Sequence, residues 1–441
     1  MGELLKAVER AELRLERIAE RDECGAGTGR AGRRLPSDGE PESGADPGAA
    51  DSLGRDEDDR CAVHAEEARD DGWREAAGTA ERAGERHSRQ VRFPPIGEAG
   101  QAMLASAGVF VAGAGALGAS LAQHMVRAGV GLVRIADRDY VEYSNLQRQV
   151  LFDEEDARRM LPKAAAAAEK LRRIDSRVSV DARLVEIGPA NADELLEGMD
   201  LVLDGLDNAG TRLLLEAAAR RRGIPYLYGG ASGAGGMTAV LGAGSPVCLG
   251  CIIGHGAGDD GATCEDGGIL APAVEAIAAL QAAEALKWLT GNREAMRRGW
   301  LTLGLWPFRV REAALPAGDP GCPVCGTGAA VTAQTRAGTY GDGREWPSVR
   351  LCGRDTVQVA TGLAIGLETA AAALASEGLA VAMNPYLLRA ELPEGYGLVL
   401  FSDGRALVQG TADAAEAERL CRSYIGRILK REGVEAGEAA V

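Results

Sequence analysis

The sequence predicts an α/β protein built on a doubly wound, mainly parallel sheet, with a small α+β domain after it and a disordered extension before it. Three observations lead there. Short apolar runs of strand length alternate with Ala-rich runs of helix length between Val109 and Leu289, the pattern of successive βαβ units. A Gly-x-Gly-x-x-Gly turn, Gly113 to Gly118, joins the first such strand to the first such helix. Composition changes on both sides of this block, toward Gly, Asp, Glu and Arg before Gly84 and toward Gly and Thr between Ala329 and Arg344.

The elements follow in order. Residues 1–22 hold a predicted helix, Glu3 to Glu20, in which Leu4, Leu5, Val8, Ala11, Leu15 and Ile18 recur near helical spacing. Residues 23–85 carry Pro36, Pro41 and Pro47 among charges. They have too little apolar surface to offset chain entropy, so disorder is expected there. Cys24, Cys61 and His64 fall in this stretch and read as incidental. Ordered sequence is expected over 86–328. Its strands are Val109 to Ala112, Leu132 to Asp137, Val178 to Leu184, Leu201 to Asp204, Tyr226 to Tyr228 and Met237 to Leu241. Its helices are Ala119 to Ala128, Pro162 to Arg173, Thr211 to Arg222 and Pro272 to Leu289. With a glycine-rich turn after its first strand, this block reads as Rossmann-like. A linker at 329–345 leads to the α+β domain at 346–432 and a tail at 433–441. That domain has strand-like runs at Ser348 to Cys352, Thr356 to Val359, Leu379 to Met383, Tyr386 to Glu391, Gly397 to Phe401 and Ala406 to Gln409. Its predicted helices are Leu363 to Ser376 and Ala412 to Leu429.

Composition narrows the function. The 441 residues carry a net charge of -16 and only 4% aromatic residues. An acidic surface with few stacking rings disfavours nucleic acid. No apolar run is long enough to span a bilayer and the charged N-terminus lacks a signal-peptide core, so a cytoplasmic protein without a membrane partner is expected. In that setting nine cysteines suggest metal binding or catalysis rather than disulfides.

In the turn, Gly113 and Gly115 let the backbone bend sharply and approach a phosphate, while Gly118 permits close helix–strand packing. Asp137 closes the next strand, about 20 residues on, where a carboxylate meets ribose hydroxyls. These features suit an adenine nucleotide without separating NAD from ATP. Asn145, Arg148 and Lys163 favour ATP, because a carboxylate approaching an α-phosphate needs cations to offset the charge that builds up. Arg89, in His87-Ser88-Arg89-Gln90, is a further candidate, and Asp207, beside Asn208 at a strand's carboxyl end, suits Mg²⁺. The competing readings are an NAD-dependent oxidoreductase on the same turn and a non-catalytic scaffold.

Cys248-Leu249-Gly250-Cys251 and Cys322-Pro323-Val324-Cys325 are two C-x-x-C pairs. Four thiolates in two close pairs fit a closed, structural Zn²⁺ site, tetrahedral and all-cysteine. Cys264 stands alone in the polar loop Thr263 to Gly268, and two readings of it stay open, a nucleophilic thiol and a small filler. Cys352 and Cys421 lie on apolar faces and read as core.

Taken together, Ser88-Arg89-Gln90, Gly113 to Gly118, Asp137 with Asp139, Ser144 to Gln149, Pro162-Lys163, Asp207-Asn208 with Arg212, Cys248/Cys251, Cys264 to Pro272 and Cys322/Cys325 resemble, in order, the ThiF/MoeB family. These are sulfur-carrier adenylyltransferases related to ubiquitin-activating enzymes. The resemblance implies an acyl-adenylate made from ATP and the C-terminal Gly-Gly carboxylate of a ubiquitin-like sulfur-carrier protein, as in thiamine or molybdopterin-type biosynthesis. It implies ribose binding at Asp137, phosphate handling by Asn145, Arg148 and Lys163, and Mg²⁺ and catalysis at Asp207. It further implies a homodimer in which Arg89 reaches the neighbouring site. Cys264 matches a cysteine that some members link covalently to the carrier or its sulfur, with a sulfur donor protein as a possible further partner. The N-terminal extension departs from the family pattern. The C-terminal domain is no evident rhodanese, because Cys352 lies in a strand pattern; it resembles an accessory module behind some family members.

Overall fold

Two sheets organise the chain in the computed structural model, which describes residues 85–255, 268–326, 346–350 and 355–432. The first sheet follows two short helices, α1 (Ser88–Val91) and α2 (Gly97–Ser106). Its parallel part comprises β1 (Gly108–Ala112), α3 (Ala116–Ala128), β2 (Leu132–Ala136), α4 (Glu154–Arg158), α5 (Lys163–Ile174), β3 (Ser179–Arg183), α6 (Ala192–Leu195), β4 (Leu201–Asp204), α7 (Ala209–Arg221) and β5 (Pro225–Ser232). Then come β6 (Gly235–Gly242), α8 (Leu249–Ile253), α9 (Ala271–Leu289), β7 (Gly299–Leu305) and β8 (Phe308–Ala314).

The strand order is β3-β2-β1-β4-β5-β6-β7-β8. The β1–β2, β2–β3, β1–β4 and β4–β5 pairings are parallel. Those from β5 through β8 are antiparallel. The chain leaves β1 toward β2 and β3, then returns past it to β4, so a crevice opens at the carboxyl ends of β1 and β4. Alternation on each strand supplies both faces. Val109, Val111, Val133, Ile135, Leu201 and Leu203 join one core with α3, α5 and α9. Phe110, Ala112, Ala136 and Val202 join the other, against Leu215 and Ala218 of α7. Burying each large apolar side chain contributes about 1.5–3 kcal/mol, so strands covered on both faces read as continuous apolar runs.

The predicted Rossmann-like sheet is therefore present, with its strands and helices within a few residues of the expected bounds. The hairpin β7–β8 was not predicted. It extends the sheet on its antiparallel side, and its outer strand is almost wholly exposed.

The second sheet holds β9 (Ser348–Arg350), β10 (Thr356–Ala360), β11 (Val381–Met383), β12 (Leu387–Glu391), β13 (Gly397–Phe401) and β14 (Arg405–Gln409), ordered β11-β12-β13-β14-β10-β9 with antiparallel pairings. Helices α10 (Leu367–Ser376) and α11 (Ala414–Glu432) cover one face through Ala370, Leu374, Leu420, Ile425 and Ile428. Cys421 is fully buried in that core, as expected. The described residues from His87 onward fall in one compact unit that includes both sheets. The expected N-terminal helix and extension, the linker, Cys352 and the C-terminal tail lie outside the described residues.

Candidate active site

A cavity of about 1340 Å³ opens at the crevice between the ends of β1 and β4. Gly113, Gly115, Asp137, Asp139, Arg148, Lys163, Asp207 and Asn208 all line it.

The glycines divide the work as their positions require. Gly113 has φ +86°, and a Cβ there would lie 2.8 Å from Gly205 O. Gly118 sits in the first turn of α3, where a Cβ would overlap Gly113 O. Gly115 has an ordinary φ of -72°, and no atom beyond its chain neighbours comes nearer to its Cβ position than Gln149 Nε2, at 4.0 Å. That open space lies on the cavity wall. Gly115 is also the N-cap of α3 and offers no side-chain acceptor, so the first-turn N–H groups are left for an anion.

Asp137 Oδ2 accepts from the Ala114 N–H at 2.7 Å and Oδ1 from the Asp139 N–H at 2.7 Å. The carboxylate braces the turn while lining the cavity. Burial pushes its pKa up, against the opposing pull of Lys163 and these two donors. Lys163 is 4% exposed at the start of α5. Its Nζ lies 3.2 Å from Asp139 Oδ2 and its N–H donates to Asp139 O at 2.8 Å. Asp139 thus fixes the lysine beside the turn and offsets part of its charge.

The Ser144–Gln149 stretch is a tight turn. Asn145 is buried, its Oδ1 accepting from the Glu142 N–H at 3.2 Å in a reciprocal capping box. It does not line the cavity. Arg148 does, with Nη1 donating to Ser144 O at 3.0 Å. Gln149 was not singled out from sequence. It is 4% exposed, lines the cavity, and its Oε1 is buried without a hydrogen-bond partner.

Asp207 is exposed on the loop after β4. Asn208 caps α7, its Oδ1 accepting from the Thr211 N–H at 2.8 Å. Buried Arg212 holds this loop in place. Its Nη2 donates to Leu206 O and, at 2.8 Å, to Gly229 O, and its Nε lies 3.3 Å from Asp204 Oδ2. Arg89 is exposed on α1 and does not line this cavity. Cys264 lies outside the described residues.

The two C-x-x-C pairs meet. Cys248 Sγ lies 3.6 Å from Cys322 Sγ, and Cys251 Sγ lies 3.7 Å from Cys325 Sγ. A tetrahedral Zn²⁺ with thiolates at ~2.3 Å has sulfur–sulfur edges of about 3.8 Å. The donor set and its spacing fit such an ion. His255, which no spacing rule had marked, brings Nε2 to 3.3 Å from Cys322 Sγ. The donor atoms of Cys248, Cys251, His255 and Cys322 lie within 4.8 Å of one another, so a Cys/His cluster able to hold a metal is present. It ties α8 to the Cys322–Cys325 turn, far apart in sequence.

The chain is similar to known proteins. The ThiF family profile matches residues 87–324. The sulfur carrier protein ThiS adenylyltransferase of Bacillus subtilis is 42% identical over 351 residues, spanning 77% of this chain and 99% of that one. That alignment is longer than the family match and extends beyond it. The sulfur carrier protein adenylyltransferase of Thermus thermophilus is 35% identical over 249 residues, 55% of this chain and 90% of that one. The adenylyltransferase and sulfurtransferase MOCS3 of Dictyostelium discoideum is 32% identical over 250 residues, 56% of this chain and 58% of that one. No helix among the described residues is long and apolar enough to cross a membrane. With the glycine turn, its acidic partner and the paired cysteines in one fold, and with more than half of its length matched, the chain belongs to the ThiF family.

Proposed function

We propose that this chain uses ATP to adenylate the C-terminal Gly-Gly carboxylate of a ubiquitin-like sulfur-carrier protein, for sulfur transfer in thiamine or molybdopterin-type cofactor biosynthesis. One observation carries the reading. The cavity joins a glycine-rich turn, a helix N-terminus without a side-chain cap, Arg148 and Lys163 in about 1340 Å³. That exceeds the roughly 300–1,000 Å³ of a small-molecule site, leaving room for a nucleotide and the end of an extended peptide. The relatives' names point the same way.

In the proposed reaction Asp137 holds the ribose, and the Gly113–Gly118 turn and the start of α3 cradle the phosphates. A peptide C-terminus is already ionised at neutral pH, so no general base is required. Its oxygen attacks the α-phosphorus, the bond to pyrophosphate breaks, and acyl-adenylate and pyrophosphate result. Arg148 and Lys163 offset the charge developing on the phosphate oxygens. Asn145 acts by stiffening the turn that presents Arg148. Asp207 would hold Mg²⁺, which supplies charge neutralisation of the phosphates, with Asn208 and Arg212 fixing its loop. Zn²⁺ at Cys248, Cys251, Cys322 and Cys325 is assigned a structural role.

Arg89, exposed and outside its own chain's cavity, is assigned to the neighbouring site of a homodimer. Cys264 is assigned to covalent capture, its thiolate either displacing AMP from the acyl-adenylate to give a thioester or taking the outer sulfur of a donor protein's persulfide as the donor thiolate leaves. The test is exchange of labelled pyrophosphate into ATP with candidate Gly-Gly carriers. Carrier-dependent exchange is expected. Tight NAD binding with no exchange on any carrier would refute the proposal.

A further inference from the structure

The cavity has a roof, and the roof is the second sheet. Ala380, Val381, Ala382, Arg389, Glu391 and Gln409 line it together with the glycine turn. Strand alternation selects Ala382, Arg389, Glu391 and Gln409 among them, whereas Val381 pairs with Ala390 and reaches the cavity only at the sheet's edge. The ladder pairs Ala382 with Arg389, Arg389 with Val399, and Val399 with Leu407, placing them on one face. Leu388, Ala390, Leu398, Leu400 and Val408 alternate to the other face, where the core under α10 and α11 takes them. The inner face has an apolar centre, Leu387, Val399, Phe401 and Leu407, packed on Tyr140 and Met160.

Hydrogen bonds rim this centre. Gln409 Nε2 donates to Tyr140 Oη at 2.8 Å, Arg405 Nη1 to Arg138 O at 3.1 Å, Gln358 Nε2 to Glu186 Oε2 at 2.8 Å, and Asn384 Nδ2 to Met160 O at 2.9 Å. Their acceptor residues Arg138, Tyr140, Met160 and Glu186 line the cavity themselves. The second sheet is therefore seated on the walls of the site.

Arg389 is the cation this face brings to the cavity. One edge of its guanidinium is held, Nη2 donating to Glu391 Oε1 at 2.8 Å. Its Nε is buried and has no hydrogen-bond partner. The side chain as a whole is 42% exposed, so the guanidinium stands open to the cavity it lines, where an anionic oxygen can accept from it. Resting on the reading of this cavity as an adenylation site, we propose that the second sheet is a working part of it, with Arg389 binding an anionic oxygen of the reactants. Two reactants carry such oxygens, the ATP polyphosphate and the carrier's terminal carboxylate.

The test uses the full chain and the variants Arg389→Ala, Arg389→Lys and Arg389→Gln. Melting temperatures close to that of the wild type confirm that the sheet stays folded in the variants compared. ATP affinity is measured by calorimetry without carrier, and the KM for the carrier by pyrophosphate exchange at saturating ATP. A loss of roughly tenfold in ATP affinity for Arg389→Ala, partly restored by lysine, assigns the contact to the polyphosphate. A rise of similar size confined to the carrier KM assigns it to the carboxylate. If wild type binds ATP and exchanges pyrophosphate while every folded variant matches it in both measurements, the proposal is overturned. A wild-type chain that binds no ATP would instead sink the adenylation reading, which separates the two failures.

Discussion

Gly115 and Gly118 lie three residues apart in the same turn, yet alanine should act at them in opposite ways. At Gly118 a methyl would overlap the Gly113 carbonyl, a backbone atom that cannot rotate aside. Either α3 or the turn must shift. Overpacking of this kind costs about 1–3 kcal/mol, against about 1 kcal/mol that alanine gains over glycine inside a helix. A net loss of about 1 kcal/mol lowers Tm by roughly 2–4 °C in a domain of this size. At Gly115 the backbone has φ -72° and the Cβ position is open, so stability should change by no more than about 1 kcal/mol. The added methyl instead enters the cavity, where phosphate oxygens must approach the N–H groups of α3. Losing a hydrogen bond to a charged group costs about 1.5–3 kcal/mol, or roughly 10–100-fold in ATP affinity. Thermal melts and ATP calorimetry on both variants separate the effects. A Gly115→Ala protein that binds ATP like wild type would show that the phosphates do not pass over this wall. A Gly118→Ala protein with an unchanged Tm would refute the packing argument.

Arg148→Ala should lower pyrophosphate exchange by about 10²-fold or more; retained exchange would remove it from the phosphate site. Cys251→Ser should lower bound zinc, measured by plasma emission spectrometry, and lower Tm as well, since metal affinity is part of the folding free energy; a fully stable zinc-free wild type would refute the structural role. His255→Ala should retain zinc if the four thiols are the ligands, and loss of the metal would make His255 one of them. Burial acts to raise the pKa of Asp181, but hydrogen bonds from Arg183 and Arg134 outweigh it and hold the carboxyl below the ordinary carboxylate range. Its folded pKa is depressed, so its stabilisation is present above the unfolded value of about 3.9 and is lost as pH falls through the lower folded value. The Tm gap between wild type and Asp181→Asn should therefore be widest near neutrality and shrink progressively as pH falls below about 4; a gap that does not change with pH under acid conditions would contradict the assignment.

The central strands were legible because both their faces are buried. Val109 to Ala112 and Leu201 to Asp204 have no solvent side to interrupt the apolar run. The hairpin strands β7 and β8 carried a weaker signal. In Phe308-Arg309-Val310-Arg311 the apolar and charged residues alternate, but the strand is an exposed edge and its apolar positions reach no core. Asn145 was legible as a polar member of a motif, not as a cap, since its partner is an N–H fixed by the local turn.

The sequence by itself determined the glycine-rich turn after β1, its acidic partner at Asp137 and the four paired cysteines. Each rests on short spacing along one strand, turn or helix, and such spacing survives in a linear string. Tertiary structure alone decided that His255 joins the cysteine cluster, that Gln149 carries an orphaned acceptor in the cavity, and that the inner face of the second sheet closes over it. Tyr140 and Gln409 are 269 residues apart and meet because two apolar surfaces bury each other. No local periodicity encodes which distant surface a sheet's free face will cover.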